Sequence, residues 1–291
     1  MIEHLTARDD VAIRAASRVA RNWPKTVDGR LVDYSLAATL SEACQGVDAV
    51  VNLAAMPEPE CVSHPHLALA ANAGGTLSWA RAAANAGVRR FVQMSTYKVY
   101  GQSPVGTVTE NTPTKPESHY AIVHRAAEDY ARSQHSNTVV FRLANGFGAP
   151  VDRDVDCWGI IVNEFCKQAV AEGRISIRSS GESWRNFVPL ADIVVALETA
   201  TRNLARGTYN LGAGRSMTIV SAAQQVAGVC RSQLGFTPDV SVGPAAPHDR
   251  FPELDYSIAK LGAAGVTPAA EFGTEVARTL EAARTMFDVT H

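Results

Sequence analysis

Three side chains in this sequence have the types and spacing for coupled proton and hydride transfer. Thr96 follows the strand-like run Val88-Arg89-Arg90-Phe91-Val92-Gln93-Met94, which would deliver its hydroxyl at a strand's C-terminal end. Tyr120 and His124 stand four apart, on one face of a helix. A phenol can take or give a proton while a hydride leaves or joins the same carbon. Its ordinary pKa near 10 is too high for a base at neutral pH, so such a tyrosine needs a cation beside it. The threonine would orient a substrate hydroxyl and share the proton.

The elements that must carry these groups follow from the pattern. Residues 1–10 read as the end of an amphipathic helix, and Val11 to Ser17 as a strand followed by Arg18 and Arg21. Arg30 to Asp33 is a short strand ending in an acid. Ser35 to Cys44 is a helix with Ser35 as N-cap and Gly46 as stop. Asp48 to Ala55 is a continuous apolar strand, as a parallel sheet covered on both faces requires. Residues 66–86 are helical and end at Gly87. The strand leading to Thr96 comes next, then a polar loop with Gly101, Pro104, Gly106, Pro113 and Pro116, and the Tyr120 helix to about Gln134. Thr138 to Leu143 is a further buried strand. Strands and helices alternating in this way predict an α/β, Rossmann-like doubly wound parallel sheet. Beyond Pro150 the pattern changes to helix and irregular segments from Asp156 to Ala171, then Arg174-Ile175-Ser176-Ile177.

Ser95-Thr96-x-x-Val99-Tyr100-Gly101 followed by Tyr120-x-x-x-His124 resembles the active site of the extended short-chain dehydrogenase/reductases, the NAD-dependent epimerase/dehydratase family of nucleotide-sugar enzymes. That family has lysine where His124 stands. A lysine is charged throughout the neutral range, whereas a histidine near 6.5 is mostly neutral at pH 7.5. A hydrogen bond to a ribose survives the exchange, but the electrostatic lowering of the Tyr120 pKa weakens. The likeness continues along the chain. Asp33 sits at the family's adenine-contacting acid, and Val51-Asn52-Leu53-Ala54-Ala55 is similar to its cofactor-lining His-Leu-Ala-Ala segment, with Asn52 in place of histidine. Asn72-x-x-Gly75-Thr76 matches the asparagine of the next helix. Phe141-Arg142-Leu143-Ala144-Asn145-Gly146-Phe147-Gly148-Ala149-Pro150 is similar to the segment where the chain leaves the cofactor domain. Trp184-Arg185-Asn186-Phe187, with Asp192, is similar to the segment whose arginine meets a nucleotide-sugar diphosphate. Leu254-Asp255-Tyr256-Ser257-x-x-Lys260-Leu261-Gly262 matches the late family signals.

The resemblance implies a dinucleotide-binding domain at 1–150 with a return segment near 186–212. It implies a substrate domain from 151–185 and 213–291. It further implies NAD or NADP as cofactor, bound by Arg18, Asp33, Leu53, Ala54, Ala55, Asn72 and His124. Tyr120, Thr96 and His124 are the implied catalytic group, and Thr96, Lys98, Asn145 and Arg185 the implied substrate contacts. An acid at position 18 would hold the ribose 2′-OH of NAD, whereas arginine accepts a 2′-phosphate, which tilts the expectation toward NADP. Lys98 reads first as a solvated loop lysine, with substrate contact as its alternative. Arg185 offers planar, bidentate donors suited to phosphate. The family's 4,6-dehydratases carry Asp-Glu directly after the threonine. Tyr97-Lys98 supplies neither group for eliminating water, which argues against that branch. The implied activity is epimerisation through transient hydride transfer. A carbonyl or keto-sugar reductase and a catalytically impaired binding protein on the same fold stand as alternatives.

The family's opening strand and Gly-x-x-Gly-x-x-Gly turn, which hold the dinucleotide pyrophosphate, have no counterpart in these residues. In the strand order 3-2-1-4-5-6 that strand is central, so the strands at 11–17 and 48–55 would each lose a ladder partner. Buried unpaired backbone groups cost roughly 1–3 kcal/mol each. The expectation is therefore a start assigned too late, with Met1 inside the first helix. The alternative is a shortened protein that closes its sheet differently or binds no dinucleotide.

Composition bounds the rest. The chain has 291 residues, 46% of them hydrophobic and 19% charged, with a formal net charge of −2. That balance gives no reason to expect nucleic acid or a membrane as partner. The acids in Met1 to Asp10 interrupt any secretory leader, and no apolar run nears the ~20 residues of a membrane span. Cys44, Cys61, Cys157, Cys166 and Cys230 are odd in number and lack C-x-x-C spacing, as expected of reduced thiols in a cytoplasm. Cys157 is expected to pack rather than react. His64-Pro65-His66 has too few neighbouring ligands for a metal. The family resemblance implies a nucleotide-sugar substrate and a homodimer through the Tyr120 helix.

Overall fold

The computed structural model describes residues 1–152, 155–245 and 251–287. The chain opens with α1 (Ile2–Thr6), β1 (Ile13–Ser17), β2 (Val27–Leu31), α2 (Ala37–Cys44) and β3 (Ala49–Asn52). It continues with α3 (Glu58–Ser63), α4 (Pro65–Ala68), a π-helical turn (Leu69–Gly74), α5 (Gly75–Asn85) and β4 (Arg90–Thr96). A 3-10 turn (Tyr97–Tyr100), β5 (Gly106–Val108), α6 (His119–Gln134), β6 (Thr138–Leu143), β7 (Asn145–Phe147) and α7 (Ile161–Glu172) follow. Then come β8 (Arg174–Ile177), β9 (Trp184–Arg185), β10 (Phe187–Pro189), α8 (Leu190–Arg202), β11 (Gly207–Leu211) and β12 (Met217–Thr218). The last elements are α9 (Ile219–Leu234), β13 (Asp239–Val242), β14 (Leu254–Tyr256), α10 (Ala259–Ala263) and α11 (Phe272–Phe287).

These elements form two compact units. The first comprises residues 1–103, 113–142 and 196–209, and the second 104–112, 143–195 and 210–291. The chain thus leaves the first unit at Arg142, and part of the polar loop that follows Thr96 belongs to the second unit, where β5 pairs in parallel with β14.

The Rossmann-like sheet carries the site. Its larger ladder has the order β11-β6-β4-β3, and β3 runs parallel to β4 with Ala49 opposite Arg90 and Asn52 opposite Gln93. β1 and β2 make a separate parallel pair, Ile13 opposite Val27. Among the described residues β1 pairs with β2 alone and β3 with β4 alone, so both ladder partners expected to be lost are lost. The anticipated penalty is softened by exposure. Most residues of β1, and Ala49 to Val51 of β3, are only half-buried, so backbone groups on those edges are not all shut away from water.

The core of the first unit gathers Val32, Leu40, Ala43, Trp79, Ala83, Val88, Phe91 and Ala131 from α2, α5, α6 and the strands between them. Gly75 is small because Tyr34 lies over it: a Cβ there would meet the Tyr34 ring at 2.9 Å. The second unit packs α7, α9 and α11 around Phe147, Phe165, Ile175, Phe187, Val226 and Leu280. Gly148 sits at φ +156°, where a Cβ would strike Glu275 Oε1 at 2.5 Å and Leu190 Cβ at 2.6 Å.

Three local expectations need correction. Ser35 does not cap α2; its backbone N–H and hydroxyl both donate to Asp33 Oδ1, at 2.8 and 2.7 Å, and the cap position is Leu36. The second strand ends at Leu31 and leaves Asp33 in the turn beyond it. The helix expected over 66–86 contains the π-helical turn at 69–74, which carries Asn72 inward.

Candidate active site

β4 delivers Thr96 at its last residue, and the Thr96 hydroxyl accepts from the Lys98 backbone N–H at 3.3 Å, closing the 3-10 turn. α6 begins on Ser118, whose hydroxyl accepts the Ala121 N–H at 3.2 Å, and so presents Tyr120 in its first turn. The Thr96 side chain faces the Tyr120 phenol closely enough to favour its ionised form. The Tyr120 ring keeps some exposure, yet burial is the largest influence on its pKa. Together with the Glu58 carboxylate it pushes the phenol up to about 12, and Thr96 offsets only part of that. Cys61, Val123, Met56 and Tyr120 pack into one small cluster.

His124 lies one turn on, its ring edge-on to Tyr120 with 4.4 Å between centroids. It is buried, and neither ring nitrogen has a hydrogen-bond partner. Burial lowers its pKa to about 4, against an opposing pull from Glu128, so it is neutral at physiological pH. Lys98 approaches from the other side: its Nζ is ion-paired with Glu58 and lies 6.0 Å from the centre of the Tyr120 ring.

Beneath this cluster stands an ion pair that the motif did not announce. Glu128, fully buried on α6, accepts from Arg142 Nε at 3.0 Å and Nη2 at 2.8 Å, and from the Ser95 hydroxyl at 2.7 Å. Burial pushes its carboxyl up, but Arg142, Ser95 and Arg132 more than reverse that and hold it below the usual range. Arg142 also lies over the Tyr100 ring, 4.7 Å from its centre. The residue before Thr96 is thereby tied to the helix that carries Tyr120. The only sequence signal was spacing, since Tyr120, His124 and Glu128 recur every four residues.

A groove of about 690 Å³ opens in the same unit, lined by Arg18, Leu31, Val32, Asp33, Tyr34, Leu36, Thr39, Met56, Leu67, Ala70 and Ala71. Arg18 lies over the Tyr34 ring at 5.4 Å. Hydrogen bonds from Ser35 hold the Asp33 carboxyl below its ordinary pKa. Apolar walls with one carboxylate and one guanidinium suit a flat heteroaromatic ring joined to a hydroxylated or phosphorylated sugar.

The other expected contacts fall as follows. Leu53, Ala54 and Ala55 are exposed beyond β3, but Met56 rather than these three lines the groove. Asn72 is buried and faces the chain: its Oδ1 accepts the Met56 N–H at 2.7 Å, and its Nδ2 donates to the Met56 carbonyl at 3.4 Å. These bonds tie Asn72 to the segment after β3. Asn52 similarly ties β3 to α5 and β4, donating to Thr76 at 3.1 Å and to Gln93 at 2.8 Å. In the second unit, Asn145 donates its N–H and Nδ2 to the Asn186 carbonyl, at 2.9 and 3.1 Å. Arg185 donates from Nη1 to Ser183 Oγ at 2.7 Å and to the Trp184 carbonyl at 2.8 Å. Among the described residues no carboxylate pairs with Arg185. Burial pushes the Cys157 thiol up, and the other four cysteines are buried. No group of three or more His, Cys, Asp or Glu among the described residues is placed to hold a metal ion, and no helix is long and apolar enough to cross a membrane.

Known proteins share this architecture. The structure resembles UDP-glucose 4-epimerase of Thermus thermophilus, solved with NAD, at TM-score 0.80 and 26% identity, covering 97% of this chain and 94% of that one. In sequence the chain is 25% identical over 238 residues to the low-salt glycan biosynthesis protein Agl12 of Haloferax volcanii, covering 79% of this chain and 73% of that protein. It is 24% identical over 287 residues to dTDP-glucose 4,6-dehydratase of Streptomyces niveus, covering 97% and 82%. The model of the NAD dependent epimerase/dehydratase family matches residues 1–212. With well over half its length so matched, the chain belongs to the NAD dependent epimerase/dehydratase family.

Proposed function

We propose that this protein is an NAD(P)-dependent nucleotide-sugar epimerase in which Tyr120 is the acid–base group. The observation that carries the reading is the convergence of Thr96, at the end of β4, on the Tyr120 phenol, with the His124 ring 4.4 Å from the Tyr120 ring. A bound nicotinamide dinucleotide supplies the acceptor, and then the donor, of the hydride. The groove between Arg18, Asp33 and Tyr34 has the lining to hold the adenine and ribose end of such a molecule. Arg18 would meet a 2′-phosphate, and His124, with two unpartnered nitrogens, would meet a ribose hydroxyl. Tyr120 takes the proton of a sugar hydroxyl and returns one when the carbonyl is reduced on its other face. Thr96 orients that hydroxyl and shares the proton. Arg185, in the second unit, has the planar donors suited to a diphosphate, and Asn145 is proposed as a further substrate contact of that unit.

Among the similar curated proteins are several named as 4,6-dehydratases. Tyr97 and Lys98 stand where that branch needs its acid and base, so elimination of water is not part of this proposal. Arg18 in the groove favours a second reading, a carbonyl reductase consuming NADPH. The raised Tyr120 pKa favours a third, a binding protein that retains the fold. The outward-facing Ile122 and Tyr130 on α6 suit a homodimer paired through that helix.

The test is to incubate purified protein with UDP-hexoses and either dinucleotide, following sugar stereochemistry by NMR. Interconversion of epimers with no net nucleotide oxidation supports the epimerase. Stoichiometric NADPH loss moves the assignment to the reductase, and no calorimetric binding of either dinucleotide leaves the binding protein. Tyr120→Phe should abolish turnover while substrate still binds; full activity in that variant rules out the tyrosine mechanism.

A further inference from the structure

The family's tyrosine works beside a lysine one helical turn away, and here that position is a neutral histidine. His124 is buried, has no partner at either nitrogen and stays uncharged above about pH 4. A cation nonetheless stands by the phenol. Lys98 extends from the turn after Thr96, and its Nζ lies 6.0 Å from the Tyr120 ring centre. Glu58, in the first turn of α3, holds it there by an ion pair shielded enough to matter, with the side chains 20% and 32% exposed.

Resting on the assignment of Tyr120 as acid–base group, we infer that Lys98 is a positioning residue that supplies the missing positive charge, its ammonium held beside the Tyr120 ring by Glu58 so that the phenolate is favoured. The groups facing the phenol are Glu58 and Cys61 from α3, Tyr97 from the 3-10 turn and His124 from α6. Of these, Glu58 opposes Lys98: its carboxylate raises the Tyr120 pKa. The two charges therefore set the phenol between them. Glu58 orients the ammonium and in the resting arrangement cancels part of its effect; burial, and after it Glu58, keeps the phenol up at about 12. A unit charge at this separation shifts an ionisation by roughly one to two pH units at the effective dielectric of a protein surface.

The experiment compares the pH profile of kcat/KM for the wild type, Lys98→Gln, Lys98→Arg and Glu58→Gln, loaded with dinucleotide. The chemical shift of 13Cζ-labelled tyrosine is followed against pH in the same proteins without it, with Tyr120→Phe identifying the signal. Lys98→Gln should move the basic ionisation up by about one unit, and Lys98→Arg should restore it. Glu58→Gln should move it down, with roughly tenfold more phenolate at a given pH in the NMR titration. If Lys98→Gln fails to fold, the arginine and Glu58 variants still decide. An unshifted profile in Lys98→Gln and Glu58→Gln overturns the inference. So does a loss of rate that Lys98→Arg does not restore, because a packing role needs shape rather than charge. Activity surviving in Tyr120→Phe would instead sink the underlying assignment, and is read separately.

Discussion

Glu128→Gln is the perturbation whose consequence the structure defines most closely. The glutamate is fully buried and accepts two hydrogen bonds from Arg142, itself only 5% exposed, and one from Ser95. Glutamine keeps the size and one acceptor oxygen but removes the countercharge, leaving a guanidinium shut in without its anion. Breaking one side of a buried ion pair costs about 3–5 kcal/mol. At about 2–4 °C per kcal/mol for a unit of this size, melting should fall by roughly 6–20 °C. The pH dependence has a definite sign. Because the folded carboxyl lies below its ordinary value, its stabilisation is present above the unfolded pKa near 4.3 and is lost as pH falls through the folded one. Scanning calorimetry from about pH 6 down to about pH 2 should therefore show a wild-type acid slope that Glu128→Gln flattens. Replacing both partners, Glu128→Met with Arg142→Met, should recover most of the loss, since no charge is then stranded. A single-variant loss under about 1 kcal/mol, or a double variant worse than the sum of its parts, would refute the claim that this pair ties β6 to α6.

Three further outcomes are expected. His124→Lys adds a charge beside a ring 4.4 Å away where none now exists, and should lower the Tyr120 ionisation and move the activity optimum about one to three units toward acid; an unchanged profile would mean position 124 does not reach the phenol. Arg18→Ala should weaken NADP binding relative to NAD by about 10- to 100-fold, the worth of one charge-assisted phosphate contact, and calorimetry with both dinucleotides reads it directly. Gly148→Ala combines a positive φ with contacts of 2.5 and 2.6 Å to Glu275 and Leu190, and should cost about 2–4 kcal/mol in a denaturant titration.

Local pattern was enough for the alternation of strands and helices and for the motif residues that meet. Thr138 to Leu143 forms a strand between the bounds its apolar run predicts, and the helix of Tyr120 runs His119–Gln134 because Ser118 caps it and the apolar positions recur at helical spacing. Thr96 and Tyr120, far apart in the chain, converge because one ends a strand and the other starts the helix packed on it. Spacing could not reveal what surrounds them. Ser35 looked like a cap, but Asp33 is the nearer acceptor and takes both its donors. The π-helical turn that brings Asn72 onto Met56 had no signal in the helical pattern over 66–86. The carboxylate that raises the phenol's pKa, Glu58, and the buried pair of Glu128 with Arg142 come from separate elements and were beyond any motif. Burial and ion pairing depend on which surfaces face each other, and one-dimensional order does not encode that until the chain has packed.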